Sequence, residues 1–326
     1  MLVGWKYRKR LTISGSSGAG TNYQVLLKVG ESSGASGCDF HVDGLSANFP
    51  SDKNQSGDLR FTGNDGETLL PFWVEKVEGS APNRVAYVWV KVNGSLDSST
   101  DIFCYYGNSS ASNVSNGDNT FEFFDDFEGT SLDTNKWLNA GTNIWSVENG
   151  NLVIESTGDN QYLVSKQAVK SYGIIIESRI KAEQAGDAFA HLGLIWHANT
   201  ETGSSHRNDH VYLRPHQYGG TTNSNIQPAY FDGALTQHSD KFGSYFDWNI
   251  WYEIKVEIID SSTIKLYGNG ELWHTWENQQ HSYEHVGLVA HDGGKDYFDY
   301  IKVRKYTDPE PAFSSAGATE IFAVDF

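Results

Sequence analysis

Phe121-Glu122-Phe123-Phe124-Asp125-Asp126-Phe127-Glu128-Gly129-Thr130-Ser131-Leu132-Asp133-Thr134-Asn135-Lys136-Trp137 lies about a third of the way along a chain of 326 residues. The character of the sequence changes there. Ahead of it, a β-rich segment closes on Ile102-Phe103-Cys104-Tyr105-Tyr106-Gly107-Asn108. Behind it, a longer one ends on Tyr297-Phe298-Asp299-Tyr300-Ile301-Lys302-Val303-Arg304-Lys305-Tyr306. The strings bracket two sandwich-like domains: a small one over 1–108, a linker over 109–120 and a larger one over 121–306. A tail with a terminal strand occupies 307–326.

The composition agrees with an all-β reading. Thirty-three glycines and 13% aromatic residues suit turn-rich strands better than helices. A formal charge of −17 argues against nucleic acid, which draws on clustered Lys and Arg. It fits a self-repelling surface or one that attracts divalent cations. No apolar run reaches the roughly 20 residues needed to cross a bilayer, so membrane insertion is not expected. Lys6, Arg8, Lys9 and Arg10 follow Met1 too closely for a secretory signal, so the chain reads as a mature or excised piece. Cys38 and Cys104 both fall in the first domain. They are candidates for one disulfide, with a buried thiol at Cys104 as the other reading.

Strands are expected at 5–13, 23–29, 58–62, 68–77, 84–92 and 101–106, enough for a small sandwich. About ten more follow Phe121. Among them Ile254, Val256 and Ile258 alternate with Glu253, Lys255 and Glu257, one buried face and one wet face. Ten strands over the second segment make a jelly roll of concanavalin A type the natural architecture. Trp137, Trp145, Trp251 and Trp276 read as core residues.

Family resemblance enters through short strings. Trp5-x-Tyr7-Arg8-x-Arg10-Leu11-Thr12-Ile13, Asp58-Leu59-Arg60-Phe61-Thr62, Val88-Trp89-Val90-Lys91-Val92 and Tyr105-Tyr106-Gly107-Asn108 resemble the domain of unknown function 2341. That domain is found in archaeal and bacterial surface proteins. Phe124-Asp125-Asp126-Phe127, Trp137, Trp145 to Leu152 and Phe298-Asp299-Tyr300 resemble the concanavalin A-like, laminin-G-like sandwich often fused behind it. The resemblance implies an extracellular or cell-surface setting. It assigns no activity, since the second fold hosts lectins, glucanases and adhesion modules.

Three sets of residues are candidates for chemistry. Asp299 alternates with Tyr297, Ile301 and Val303, and an acid on such a face needs a cation or several hydrogen bonds. Asp125, Asp126 and Glu128 could join it in a structural calcium site, which the resemblance to calcium-bearing sandwiches favours. Pairing with Lys136 or Arg304, or turn capping, is the alternative. The second set is His197, His210, Tyr212, Arg214, Tyr230 and Trp273. If Val211 and Leu213 point inward, then His210, Tyr212 and Arg214 line a wet face suited to sugar rings and hydroxyls. His206-x3-His210-x5-His216 lacks a recognised zinc spacing. Glu253 and Glu257 share a strand face, but with Lys255 between them they read as a solvated face rather than a catalytic pair.

Two expectations follow. One is a non-catalytic, calcium-stabilised, lectin-like binding or adhesion module for glycan or cell-surface polysaccharide. The other is a subunit of an extracellular filament, self-associating through Ile321, Phe322, Val324 and Phe326, a strand with no obvious partner in its own domain.

Overall fold

The computed structural model describes residues 2–139, 145–155, 161–183, 191–202, 205–214, 225–237, 246–277, 279–291 and 294–322. The chain separates into two compact units, Met1–Phe121 with Thr307–Phe326, and Glu122–Tyr306. Among the described residues strands account for nearly all regular structure, and no helix is long and apolar enough to cross a membrane.

The first unit pairs two four-stranded sheets. Its strands are β1 (Tyr7–Ile13), β2 (Tyr23–Gly30), β3 (Phe40–His41), β4 (Arg60–Thr62), β5 (Phe72–Glu78), β6 (Val85–Val92) and β7 (Thr100–Tyr106). A short helix α1 (Gly117–Thr120) follows, capped by the Asn116 side chain accepting from Asn119 N at 2.9 Å. One sheet runs β3-β2-β6-β5, and the other is built on β1-β7-β4. Alternating apolar residues make the core: Leu11 and Ile13 from β1, Val25, Leu27 and Val29 from β2, Val88 and Val90 from β6.

The strings of the family resemblance meet around Asp58. It is fully buried, and its carboxylate accepts from Ala47 N (2.7 Å), Gly107 N (2.7 Å), Asn108 N (3.1 Å) and the Ser46 hydroxyl. Trp5 Nε1 donates to the Asp58 carbonyl at 2.8 Å, and the Arg60 guanidinium lies 5.2 Å from the Trp5 ring centre. One carboxylate therefore ties the end of β7 to the loop before β4. Gly107 holds a φ of +88°, and a Cβ there would come within 2.5 Å of the Tyr7 ring. Only glycine suits that turn.

Several expectations change here. The stretch expected to be a linker lies along the first unit: Ser56 N donates to Asn113 Oδ1 (2.9 Å), Val74 N to Ser115 Oγ (2.9 Å) and Asn116 N to Phe72 O (2.9 Å). Cys38 and Cys104 are free thiols rather than a disulfide. Cys104 lies in the middle of β7, buried in the core, and burial pushes its thiol well above the ordinary range. Cys38 sits in the loop after β2 with its thiol 3.4 Å from Ala35 O.

The tail is not a free strand either. Its strand, named β23 below, runs Phe313–Ile321 and pairs antiparallel with β1, so the first sheet reads β23-β1-β7-β4. Phe322 N donates to Lys6 O at 2.9 Å, and Arg8 sits over the Phe322 ring at 5.1 Å. Val324 and Phe326 lie outside the described residues.

The second unit is a larger sandwich. In chain order its strands are β8 (Phe123–Asp125), β9 (Trp137–Asn139), β10 (Trp145–Glu148), β11 (Asn151–Glu155), β12 (Gln161–Ser165), β13 (Ile174–Glu183), β14 (His191–Ala198) and β15 (Arg207–Arg214). Then come β16 (Asn225–Asp232), β17 (Leu235–Gln237), β18 (Tyr252–Ile258), β19 (Ile264–Gly268), β20 (Glu271–Trp276), β21 (His285–His291) and β22 (Lys295–Lys305). One sheet runs β10-β11-β22-β13-β18-β19-β20, with β8 also on β22; the other runs β17-β16-β15-β14-β21-β12-β9. Leu192, Leu194 and Trp196 of the seven-stranded sheet and Ile174, Ile176, Ile254 and Val256 of its partner meet in the core.

A bulge in β22 decides which side chains face that core. Arg179 pairs with Tyr300, but the next residue, Ile180, pairs with Phe298, leaving Asp299 as the extra residue. The alternation flips there. Asp296 and Phe298 are buried on one side of the bulge, Ile301 and Val303 on the other, while Tyr297 and Asp299 are only half-buried.

Candidate functional site

The seven-stranded sheet presents its second face away from the sandwich core. Val211 and Leu213 of β15 join the core, so His210, Tyr212 and Arg214 share the other face, as the alternation requires. That face is not wet. His210 and Tyr212 are 0% exposed and Arg214 is 5% exposed. Tyr212 packs with Tyr162, Val164, Ile195, Ala229 and Val289 into a second apolar layer, so the expected open sugar platform is a buried one.

Hydrogen bonds fix the imidazoles of this layer. His206 Nδ1 donates to the Glu201 carbonyl at 3.0 Å, and Asn208 Nδ2 donates to His206 Nε2 at 2.6 Å. Burial lowers the His206 pKa to about 4, so the neutral ring this relay requires is the stable one. His210 Nδ1 then donates to Asn208 Oδ1 at 2.6 Å. His191 and His291 stack, with Nδ1 atoms 3.3 Å apart.

Asp209 is the residue the sequence reading missed. It has the same parity as Val211 and Leu213 and is 5% exposed. Four N–H groups converge on its carboxylate: His197 Nδ1 (3.0 Å), His281 Nδ1 (3.3 Å), His281 N (3.1 Å) and Gln280 N (3.2 Å). Burial opposes its ionisation, but the bonds to His197 and His281 outweigh burial and hold its carboxyl below the ordinary value. The cluster gathers two of the six expected ligand residues, His197 and Tyr230.

The two histidines differ in what remains to them. His197, on a left-handed backbone (φ +48°) where β14 slips register, has its Nε2 2.9 Å from the Ser171 carbonyl. Both its nitrogens are engaged. His281 is bonded through Nδ1, and its Nε2 has no hydrogen bond to a described residue. Its ring stacks on Tyr283 (5.9 Å, 23°) and meets Tyr230 edge-on (6.1 Å, 61°). Tyr283 is 44% exposed. The arrangement is an imidazole oriented by a buried carboxylate between two phenol rings, one of them open to water.

Trp273 is elsewhere. It lies on β20, packed on the core beside Tyr252, with its ring where a side chain on Gly268 would otherwise stand. Trp251, expected in the core, instead lies under Arg179 (4.7 Å) and Lys181 (5.4 Å). Trp137 is buried, and Trp145 and Trp276 pack against the core.

The four carboxylates expected to hold calcium do not form a cation site. Asp299 is paired with Arg179 at 3.0 Å. Asp125 accepts from Trp137 Nε1 (2.6 Å) and Phe127 N (3.0 Å), and burial raises its pKa. Asp126 is half-buried; Glu128 is exposed, its carboxylate over Gly150. Among the described residues no group of three or more His, Cys, Asp or Glu is placed to hold a metal ion. Calcium needs six to eight oxygens, and this set does not fit it. The Glu253 carboxylate takes the Tyr300 hydroxyl (2.5 Å), while Glu257 takes Lys255 (2.6 Å) and the Tyr267 hydroxyl (3.0 Å).

Against known proteins, the model of the family described as "Domain of unknown function (DUF2341)" matches residues 55–140. The match includes the Asp58, Val88 and Tyr105 strings and runs on through Trp137, but leaves out Trp5–Ile13. No curated protein matches the sequence. Among solved structures, a carbohydrate-binding module, CBM66, of Bacillus subtilis is 15% identical, covering 53% of this chain and 98% of its own, with a TM-score of 0.44. The catalytic domain of an endo-1,3-β-glucanase (laminarinase) of Thermotoga petrophila RKU-1 is 16% identical, with 57% and 98% covered and a TM-score of 0.41. An endo-β-1,3-glucanase of Pyrococcus furiosus is 12% identical, with 60% and 95% covered and a TM-score of 0.39.

Proposed function

We propose that the chain is a non-catalytic carbohydrate-binding protein, acting outside the cell or on its surface, and that its second unit holds sugar at His281. One observation carries the reading: Asp209 fixes the His281 ring between Tyr230 and the exposed Tyr283. A phenol face covers the apolar C–H surface of a pyranose. With Nδ1–H given to Asp209, His281 Nε2 is the acceptor for a sugar hydroxyl.

The same geometry argues for binding without hydrolysis. Glycoside cleavage uses two carboxyl groups flanking the bond. Asp209 is committed to four N–H donors, which leaves it poorly placed to serve as one of such a pair.

A glycan array probed with the whole chain, followed by titration calorimetry on the best glycan, tests this. Tyr283→Ala and His281→Ala should each weaken binding about tenfold, a loss near 1.4 kcal/mol. The reading fails if no glycan is retained or if both variants bind like the parent. Release of new reducing ends would overturn the non-catalytic part alone.

A further inference from the structure

Asp296 lies on the inward side of β22, where an ion is out of place. It is 0% exposed, and neither carboxyl oxygen has a hydrogen-bond partner among the described residues. Its cross-strand neighbours are Ile154 on β11 and Ala182 on β13. One strand further, Trp145 pairs with Ile154, and its buried indole N–H is also without a partner among the described residues. A single row across four strands, Trp145, Ile154, Asp296 and Ala182, thus carries two orphaned polar groups in an apolar setting.

Among the described residues the nearby charges are engaged elsewhere. On β22, Lys295 is drawn to Glu148 (3.0 Å) and Glu155 (3.8 Å). On β13, Glu183 takes the Tyr297 hydroxyl at 2.5 Å, and Lys181 lies over the Tyr297 ring at 4.1 Å. The cluster behind the row is apolar, with Leu152, Ala182 and Phe298 from this sheet and Leu192 and Ala290 from the other. Burial alone pushes the Asp296 carboxyl up to about 8.

We propose that Asp296 is a pH-operated latch: the second unit closes this end of its sandwich on the neutral acid and loses that closure when the carboxyl ionises. An unpaired carboxylate in this row would be buried without a counter-ion, and the relief open to it is exposure to water. The folded state therefore holds this proton more tightly than the unfolded chain does. Stability from the latch is complete below about pH 4, declines as pH rises, and is gone above about pH 8.

The test is thermal unfolding of the full chain between about pH 5 and about pH 9, for the parent, Asp296→Asn and Asp296→Leu. The parent's second-unit midpoint should fall by on the order of 10 °C across that range beyond any fall in the variants. Asp296→Leu, apolar and of similar reach, should remove that extra slope. In the parent, carbon-detected NMR should find one aspartate carboxyl titrating near 8 that is missing from both variants. Parallel slopes in parent and variants overturn the proposal, as does a parent in which every carboxyl titrates below about 6. The carboxyl titration decides the matter even if neither variant folds.

Discussion

Asp299 Oδ2 lies 3.0 Å from Arg179 Nη1 across the β13–β22 pair, at the bulge that turns the aspartate out of the core. The guanidinium supplies the compensation that an ion would otherwise have to give. A chelator should therefore leave the thermal midpoint of the second unit where millimolar calcium leaves it. Arg179→Ala should cost about 1 kcal/mol, because the pair is partly exposed. A midpoint that rises with calcium and falls with chelator would count against this account.

Asp58 makes a larger contribution. Replacing it with Ala leaves the N–H groups of Ala47, Gly107 and Asn108 without their acceptor in a buried setting. The expected loss is about 3 kcal/mol, confined to the first unit. Urea unfolding followed separately for the two units would show it.

Gly193 is required by the closeness of two strands. A Cβ there would stand 1.8 Å from the Val211 carbonyl oxygen on β15. Backbone cannot give way as a side chain can, so Gly193→Ala should destabilise the second unit by about 3 kcal/mol. The measurement is the midpoint of chemical denaturation.

His206 sets an acid limit. Its folded pKa is depressed to about 4, mainly by burial, so protonation is harder in the folded state than in the unfolded chain. The stability it protects is complete above about pH 6.5 and is lost as pH falls toward about 4, on the order of 3 kcal/mol. His206→Gln should flatten that limb. An unchanged acid slope in the variant would exclude His206 as its source.

The strands were legible in the sequence because alternation reports which residues meet a core, and the β18 pattern of Ile254, Val256 and Ile258 holds in the structure. Alternation fails at a bulge. In sequence Asp299 alternates with Ile301 and Val303, and nothing there marks the extra residue in β22. The pattern also cannot tell an open face from a covered one, and so His210, Tyr212 and Arg214 were expected in water. Asp209 is within reach of the sequence: it breaks the apolar alternation of Val211 and Leu213 as Asp299 breaks that of Ile301 and Val303. His281 and Tyr283 lie in a segment without periodicity, and only the fold brings them to Asp209.

The pairing of β23 with β1 has a consequence for the order of synthesis. The sheet begun by residues 7–13 is finished by residues 313–321, with the whole second unit made in between. While a ribosome works through those intervening residues, the β1 edge waits with unpaired backbone groups. An arrest after Tyr306 would release a chain whose second unit can be complete and whose first has an open edge, the feature that recruits stray strands.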